Sequence, residues 1–154
     1  MELKTRLVNA CIDMLNQKKN HFETEIKETQ FEANQFKGAM ESRYDTFKEE
    51  LQERKNSLIL QLNKLDELLL VINTIQIQKH YRIGLGSIVK ALDEKGNTYH
   101  YFIFANISSK PINIDGDDYY MLNLESPLGN ELNSKITNET VNFREKVLKI
   151  IHIL

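Results

Sequence analysis

Glu41 and Asp45 stand four residues apart, close to Gly38 and in a stretch free of proline. On a helix that spacing brings both side chains to one face, so the pair can turn two carboxylates toward one hard cation. Magnesium takes one or two carboxylates and completes its shell with water and phosphate oxygens. The competing reading is purely electrostatic. Acids near a helix N-terminus complement the helix dipole, and Glu49, Glu50 and Glu53 continue the same run as a solvated face.

The other reactive residue types form no set. His21, His80, His100 and His152 lack metal-ligand spacing, and one cysteine, Cys11, cannot build a zinc site. Asp115, Asp117 and Asp118 surround Gly116, but the twelve-residue ligand pattern of a calcium loop and its final glutamate are missing, which leaves a polar turn. Gly84-Leu85-Gly86 lacks the third glycine and the lysine of a phosphate-binding loop. His100 lies in Tyr99-His100-Tyr101-Phe102, where alternation packs one face and leaves the other to solvent or a partner. No nucleophile, base and acid can be assembled from the chain, and it is not expected to be an enzyme in its own right.

Charge narrows the partners. Twenty basic and 22 acidic residues in 154 give a net charge of −2. Duplex DNA binding is driven by phosphate neutralisation, and neither half of the chain is basic enough for it. Any nucleic acid is expected to be held by another protein. The most apolar stretch, 58–77, is interrupted by Gln61, Asn63, Lys64, Asp66, Glu67 and Asn73, which excludes a membrane span there. The single cysteine fits a reducing compartment, and the N-terminus lacks the basic and apolar regions of a secretory signal. A cytoplasmic location is expected.

These residues must be positioned by two different kinds of chain. Residues 1–83 contain one glycine and no proline, while 84–154 contain five glycines and both prolines. Glycine and proline punctuate regular structure, so the first part reads as nearly unbroken helix and the second as short elements and turns. Phe47, Leu51, Leu58, Leu62, Leu65, Leu69 and Ile72 form a heptad seam that Arg54 or Lys55 breaks once. Leu7, Cys11, Leu15, Phe22 and Ile26 make a weaker stripe before it. Two narrow stripes in polar surroundings suit helices that bury mainly against one another. Gly38 lies between them, and a turn near 34–40 makes a coiled-coil hairpin over 1–80, each arm on the order of 50 Å long. The alternative is one continuous helix that dimerises in parallel.

After Gly84 the pattern predicts an antiparallel, strongly bent β-rich domain over 84–154. Strands are expected at 88–92 and 98–105, joined through Asp93-Glu94-Lys95-Gly96-Asn97, then at 119–124, 141–143 and 147–153. Residues 110–118 read as a loop. Ser126-Pro127 opens a short helical turn, with serine suited to the N-cap and proline to the first helical position.

The order of these parts, and the segment Leu122-Asn123-Leu124-Glu125-Ser126-Pro127-Leu128-Gly129-Asn130-Glu131-Leu132, resemble the Gre-type transcript-cleavage and elongation factors. In that family a strand runs into serine-proline-aliphatic-small and a short helix. Gly86-Ser87-Ile88-Val89 is similar to the entry of the family's second domain, and 147–151 to its last strand. The resemblance implies an FKBP-like fold for 84–154. It implies a hairpin that enters the secondary channel of RNA polymerase, where tip acids support a catalytic Mg2+ shared with the polymerase. The polymerase then cleaves backtracked RNA, so nascent RNA is met only inside that complex. By this resemblance Glu41 and Asp45 are the supporting carboxylates and metal ligands, Arg43 and Tyr44 contact RNA or the channel walls, with packing on the first helix as the equal alternative for Tyr44, and Ser126 and Pro127 belong to the binding surface. The departures are specific. The family's tip acids are three apart and these are four; Ser42 stands where an acid aligns; Ser134-Lys135 replaces glycine-lysine; Asn138-Glu139 replaces an acidic pair; and the loop before the last strand is cut to Arg144-Glu145-Lys146. An inhibitory channel binder and a non-catalytic coiled-coil adaptor are the alternatives, with a prolyl isomerase suggested by the fold alone.

Overall fold

The computed structural model describes residues 2–35 and 41–154, with the backbone alone at 41–44. Two long helices come first, α1 (Glu2–Gln35) and α2 (Glu41–Asn73). Polar pairs give their direction. Lys19 Nζ meets Asp66 Oδ1 at 2.6 Å, Arg54 approaches Glu25 at 4.0 Å, and Lys55 Nζ donates to Gln30 Oε1 at 2.6 Å. As the position in α1 rises from 19 to 30, its partner in α2 falls from 66 to 54–55. The helices are antiparallel, and the chain forms a hairpin, not a continuous rod. Gly38, the expected reversal point, lies outside the described residues.

The seam is the one the heptads require. Leu15 in α1 and Leu51, Leu58 and Leu65 in α2 are buried, flanked by half-buried Phe22, Ile26, Phe47, Leu62 and Leu69. Its single interruption is Lys55, half-buried at the vacant seam position, while Arg54 is exposed beside the seam, on Glu25. Lysine suits that place because its stem covers apolar surface and its ammonium reaches Gln30. Thr29 extends the α1 stripe beyond Ile26. It is buried because its hydroxyl donates to the Glu25 carbonyl at 2.8 Å and needs no water.

The rest of the chain builds a six-stranded sheet from β1 (Ile88–Asp93), β2 (Thr98–Ile103), β3 (Ile112–Ile114), β4 (Asp117–Leu122), β5 (Thr140–Phe143) and β6 (Lys146–Ile153), with helix α3 (Pro127–Leu132) between β4 and β5. The strand order is β3-β4-β2-β1-β6-β5. Two expectations need correction. The sheet is not wholly antiparallel, because β2 and β4 run parallel, with His100 opposite Tyr119 and Phe102 opposite Met121. The expected loop over 110–118 holds β3 and a hairpin turn. Asp115 and Gly116 sit at φ 55° and 92°, the left-handed pair that matches strand twist in a two-residue connection. The expected β1–β2 turn forms, and Asp93 organises it. Its carboxylate accepts from the Asn97 side chain at 2.8 Å, from the Asn97 and Lys95 backbone N–H groups at 2.8 and 2.9 Å and from the Tyr99 hydroxyl at 3.1 Å, and these hydrogen bonds, the Asn97 side chain's above all, hold it below the usual carboxylate range.

Alternation sorts the sheet residues into two covered faces. Val89, Ala91, Ile103 and Ile150 pack with Leu128 and Leu132 of α3. Ile88, Phe102 and Met121 face the other way and are buried too. There Cys11 Sγ lies 3.7 Å from Met121 Sδ, and Arg6 grips Asp115 through two hydrogen bonds of 2.6 and 3.1 Å. The start of the α1 stripe therefore packs on the sheet, which changes the expectation that the helices bury mainly against each other. Burial pushes the Cys11 thiol up to about 12, so it behaves as an inert apolar group. By compactness the structure has two units, Met1–Ile12 with Val71–Leu154, and Asp13–Leu70. Among the described residues no helix is long and apolar enough to cross a membrane.

Candidate functional site

Helix α2 begins at Glu41, and Asp45 follows one turn later on the same helical face. Asp45 is exposed to solvent. The side chains of Glu41, Arg43 and Tyr44 lie outside the described residues. A helix start has backbone N–H groups without an intrahelical acceptor, which favours negative charge near it. Carboxylate oxygens are the hard donors magnesium prefers, and two carboxylates would fill only part of a six-ligand shell, the rest falling to water and phosphate oxygens. Among the described residues no three His, Cys, Asp or Glu side chains gather as a metal site.

The second candidate region is built around α3. Ser126 adopts an extended backbone, φ −70° and ψ 156°, and its Oγ accepts from Gly129 N–H at 3.1 Å. The same hydroxyl donates to the Asn123 carbonyl at 2.6 Å. Pro127 takes the first helical turn, where no N–H is needed. Gly129 packs its backbone on the Asn123 carbonyl, and a Cβ there would run into that oxygen. The serine-proline-aliphatic-small pattern thus has a mechanical meaning: a cap, a fixed φ, a buried Leu128 and a residue too small to collide. Ser126 is half-buried and Pro127 exposed. Structurally Ser126 is first of all a helix cap.

Three of the residues that depart from the Gre pattern sit where the backbone is unusual. Ser134, Asn138 and Arg144 all have positive φ, at 63°, 74° and 55°. Ser134 stands where the resemblance leads one to expect glycine, the residue that takes this conformation without steric cost. Asn138 tolerates it better than most side chains. Arg144 bears it in the tight β5–β6 turn, its guanidinium 5.1 Å from the centre of the Phe143 ring.

Two features escaped the sequence reading. One is an aromatic cleft of about 470 Å3 lined by Tyr99, Tyr101, Leu128, Phe143 and Leu148 with Arg144 and Lys146 at its edge. The two tyrosine rings stack 6.4 Å apart, and Lys146 Nζ lies 3.1 Å from the Tyr99 hydroxyl. Burial pushes the Tyr101 hydroxyl up to about 12. Tyr and Phe scattered through 84–154 are thereby brought together; the alternation of Tyr99 and Tyr101 was the only local signal. The other is Lys4, an unremarked lysine of the first helix, which is buried.

No family model matches this chain, and no curated protein does. Solved structures are similar to it along nearly all its length. The GreA factor homolog 1 (Gfh1) protein of Thermus thermophilus is 14% identical, with a TM-score of 0.39, covering 93% of this chain and 94% of that one. A structure of the transcription factor Gfh1 gives 14% and 0.37, with 92% of each chain covered. Gfh1 of Thermus aquaticus gives 15% and 0.37 over 92% of each. At TM-scores of 0.37 to 0.39 this likeness carries no functional assignment.

Proposed function

We propose that this chain is a cytoplasmic regulator of bacterial RNA polymerase that places the end of its hairpin in the secondary channel and modulates cleavage of backtracked transcripts. One observation carries the reading: an antiparallel two-helix hairpin whose second arm opens on two carboxylates one helical turn apart. The Gre-like segment from Leu122 to Leu132, built as a capped α3, supports it from the other unit.

In this reading Glu41 and Asp45 lend oxygens to a Mg2+ that the polymerase and the RNA also ligate. Such an ion, when bound, activates water and stabilises the leaving oxygen. The chain itself positions charge and holds two ligands. Arg43 and Tyr44 contact RNA or the channel wall, and the region around Ser126 and Pro127 docks on the polymerase surface. Cleavage remains the polymerase's own reaction.

The tip also favours a second version. Its acids are four apart, and Ser42 replaces an aligned acid. A tip that enters the channel with fewer or displaced ligands blocks cleavage instead of assisting it. Stalled, backtracked polymerase distinguishes the two. Release of short 3′ RNA fragments rises with added protein under the first version and falls under the second. Glu41→Ala with Asp45→Ala is expected to lower stimulation about 100-fold while leaving binding intact. A protein that neither binds polymerase nor alters cleavage ends the proposal, and an unchanged double variant removes these two residues from it.

A further inference from the structure

The aromatic cleft of about 470 Å3 is walled by Tyr99 and Tyr101 of β2, Leu128 of α3, Phe143 of β5 and Leu148 of β6. Its volume falls within the range of about 300–1,000 Å3 typical of small-molecule sites. Four regular elements shape it, so its opening is fixed by the sheet and helix and not by a loop. Polar groups inside are few. The Tyr99 hydroxyl is already used, accepting from Lys146 at 3.1 Å and donating to Asp93 at 3.1 Å. The Tyr101 hydroxyl has no hydrogen-bond partner among the described residues, and burial, which pushes it up to about 12, keeps it protonated as a donor.

The edge of the cleft carries a less ordinary feature. Arg144 and Glu145 alone connect β5 to β6, with Phe143 paired to Lys146 across the turn. Arg144 stands at φ 55°, and Glu145 does not share the positive sign. In two-residue hairpins of that form glycine takes the first place, since any other side chain there is strained. Such strain persists only where the surroundings hold it, and it gathers at ligand clamps. Here it puts a guanidinium 5.1 Å from the centre of the Phe143 ring. Lys146 Nζ lies 5.2 Å from the centre of the Tyr99 ring. Among the described residues neither cation belongs to an ion pair, and Glu145 is the one acid lining the cleft. Two cations against one carboxylate leave a single positive charge.

We propose that this cleft is a binding site for a planar aromatic molecule with one carboxylate, its ring on the aromatic walls and its carboxylate on Arg144 and Lys146. Aromatic walls favour a ring, through stacked or edge-to-face contact beyond simple burial of area. The guanidinium fork matches a carboxylate, and charge-assisted hydrogen bonds are the strong ones. The single surplus charge suits a monoanion better than a dianion. The cleft lies wholly within the sheet unit and is independent of the transcription reading; neither outcome below bears on the hairpin's role.

The test is a calorimetric titration of the full chain with 2-naphthoate, with the ring signals of Tyr99, Tyr101 and Phe143 followed by NMR. Saturable binding that shifts those signals is expected. 2-Naphthalenemethanol, the neutral ring, is expected to bind at least tenfold more weakly, and acetate, the charge without the ring, not to saturate. Arg144→Gly separates a binding role from a structural one. It relieves the strained backbone and is expected to raise Tm, yet to weaken 2-naphthoate about tenfold. Lys146→Met also weakens it, while Lys110→Met, which alters an exposed lysine outside the cleft, leaves it unchanged. No saturable binding, equal affinity for the acid and the alcohol, or Arg144→Gly and Lys146→Met binding like the unaltered chain overturns the proposal. Should Arg144→Gly not fold, Lys146→Met and the neutral ring decide.

Discussion

The hairpin unit and the sheet unit bury the same kinds of side chain in unlike ways. In the hairpin a seam leucine is covered by its own helix and one neighbour, so Leu58 keeps 6% of its surface and its flanking residues keep more. In the sheet unit Ile150 keeps none, enclosed by strands on both sides and by α3 below. The hairpin's stability is spread along a line, with no point that carries most of it. The sheet's is concentrated in a volume. Such a difference suits a long element that must present polar groups, because a seam needs only every third or fourth residue and leaves the others free.

Truncation offers the largest effect with which to break this comparison. Ile150→Ala is expected to fall in the upper part of the range of about 2–5 kcal/mol for such changes, and Leu58→Ala near its lower end, because a seam can relax toward solvent. Urea denaturation of both variants measures the order, and a reversed order refutes the contrast.

Lys4 supplies the next effect. Its folded-state value of about 8 lies below the ordinary lysine value of 10.5. Between them the unfolded chain holds a proton that the folded chain has released, so this group makes stability rise with pH from about 8 to 10.5 and makes it fall again on acidification. Its contribution across that window is on the order of 1–3 kcal/mol. Cys11, pushed up to about 12, opposes the trend above pH 9. The quantity to read is therefore the difference between the unaltered chain and Lys4→Met; a flat difference across the window contradicts the assignment.

Smaller changes sharpen the picture. Ser134→Gly relieves a side chain held at φ 63° and is expected to stabilise the sheet unit by on the order of 1 kcal/mol. A loss of stability there would mean the serine earns its place through contacts of its own. Smallest of all, Lys19→Ala or Asp66→Ala breaks an exposed pair on the hairpin, and the change in Tm should be the least of the set and shrink further in high salt. A large effect would show that the hairpin depends on its polar pairs more than on its seam.

Much of the architecture was open to local reading. The heptads of α2, the change in glycine and proline content after residue 83, the β1–β2 hairpin and the Ser126-Pro127 cap all rest on interactions between residues close in sequence, and all are present. Asp115-Gly116 carries a legible hairpin signal that the surrounding aspartates obscure, since their polarity suits a loop equally well. The parallel pairing of β2 with β4 had no local signal at all, since neither strand records which way its neighbour will run. At the candidate tip, spacing placed Glu41 and Asp45 on one face of a helix, and α2 does start at Glu41.

The sequence by itself determined that two long amphipathic helices precede a set of short strands, and where the acids lie along them, because periodicity and turn chemistry act over a few residues. Only the tertiary structure decided that Leu7 and Cys11 lie buried in the sheet unit, that Tyr99, Tyr101 and Phe143 share a cleft, and that Lys4 is buried with its ammonium on the Gln78 carbonyl. Those outcomes depend on chain segments up to 110 positions apart meeting in a common volume, and no window of neighbouring residues carries that information.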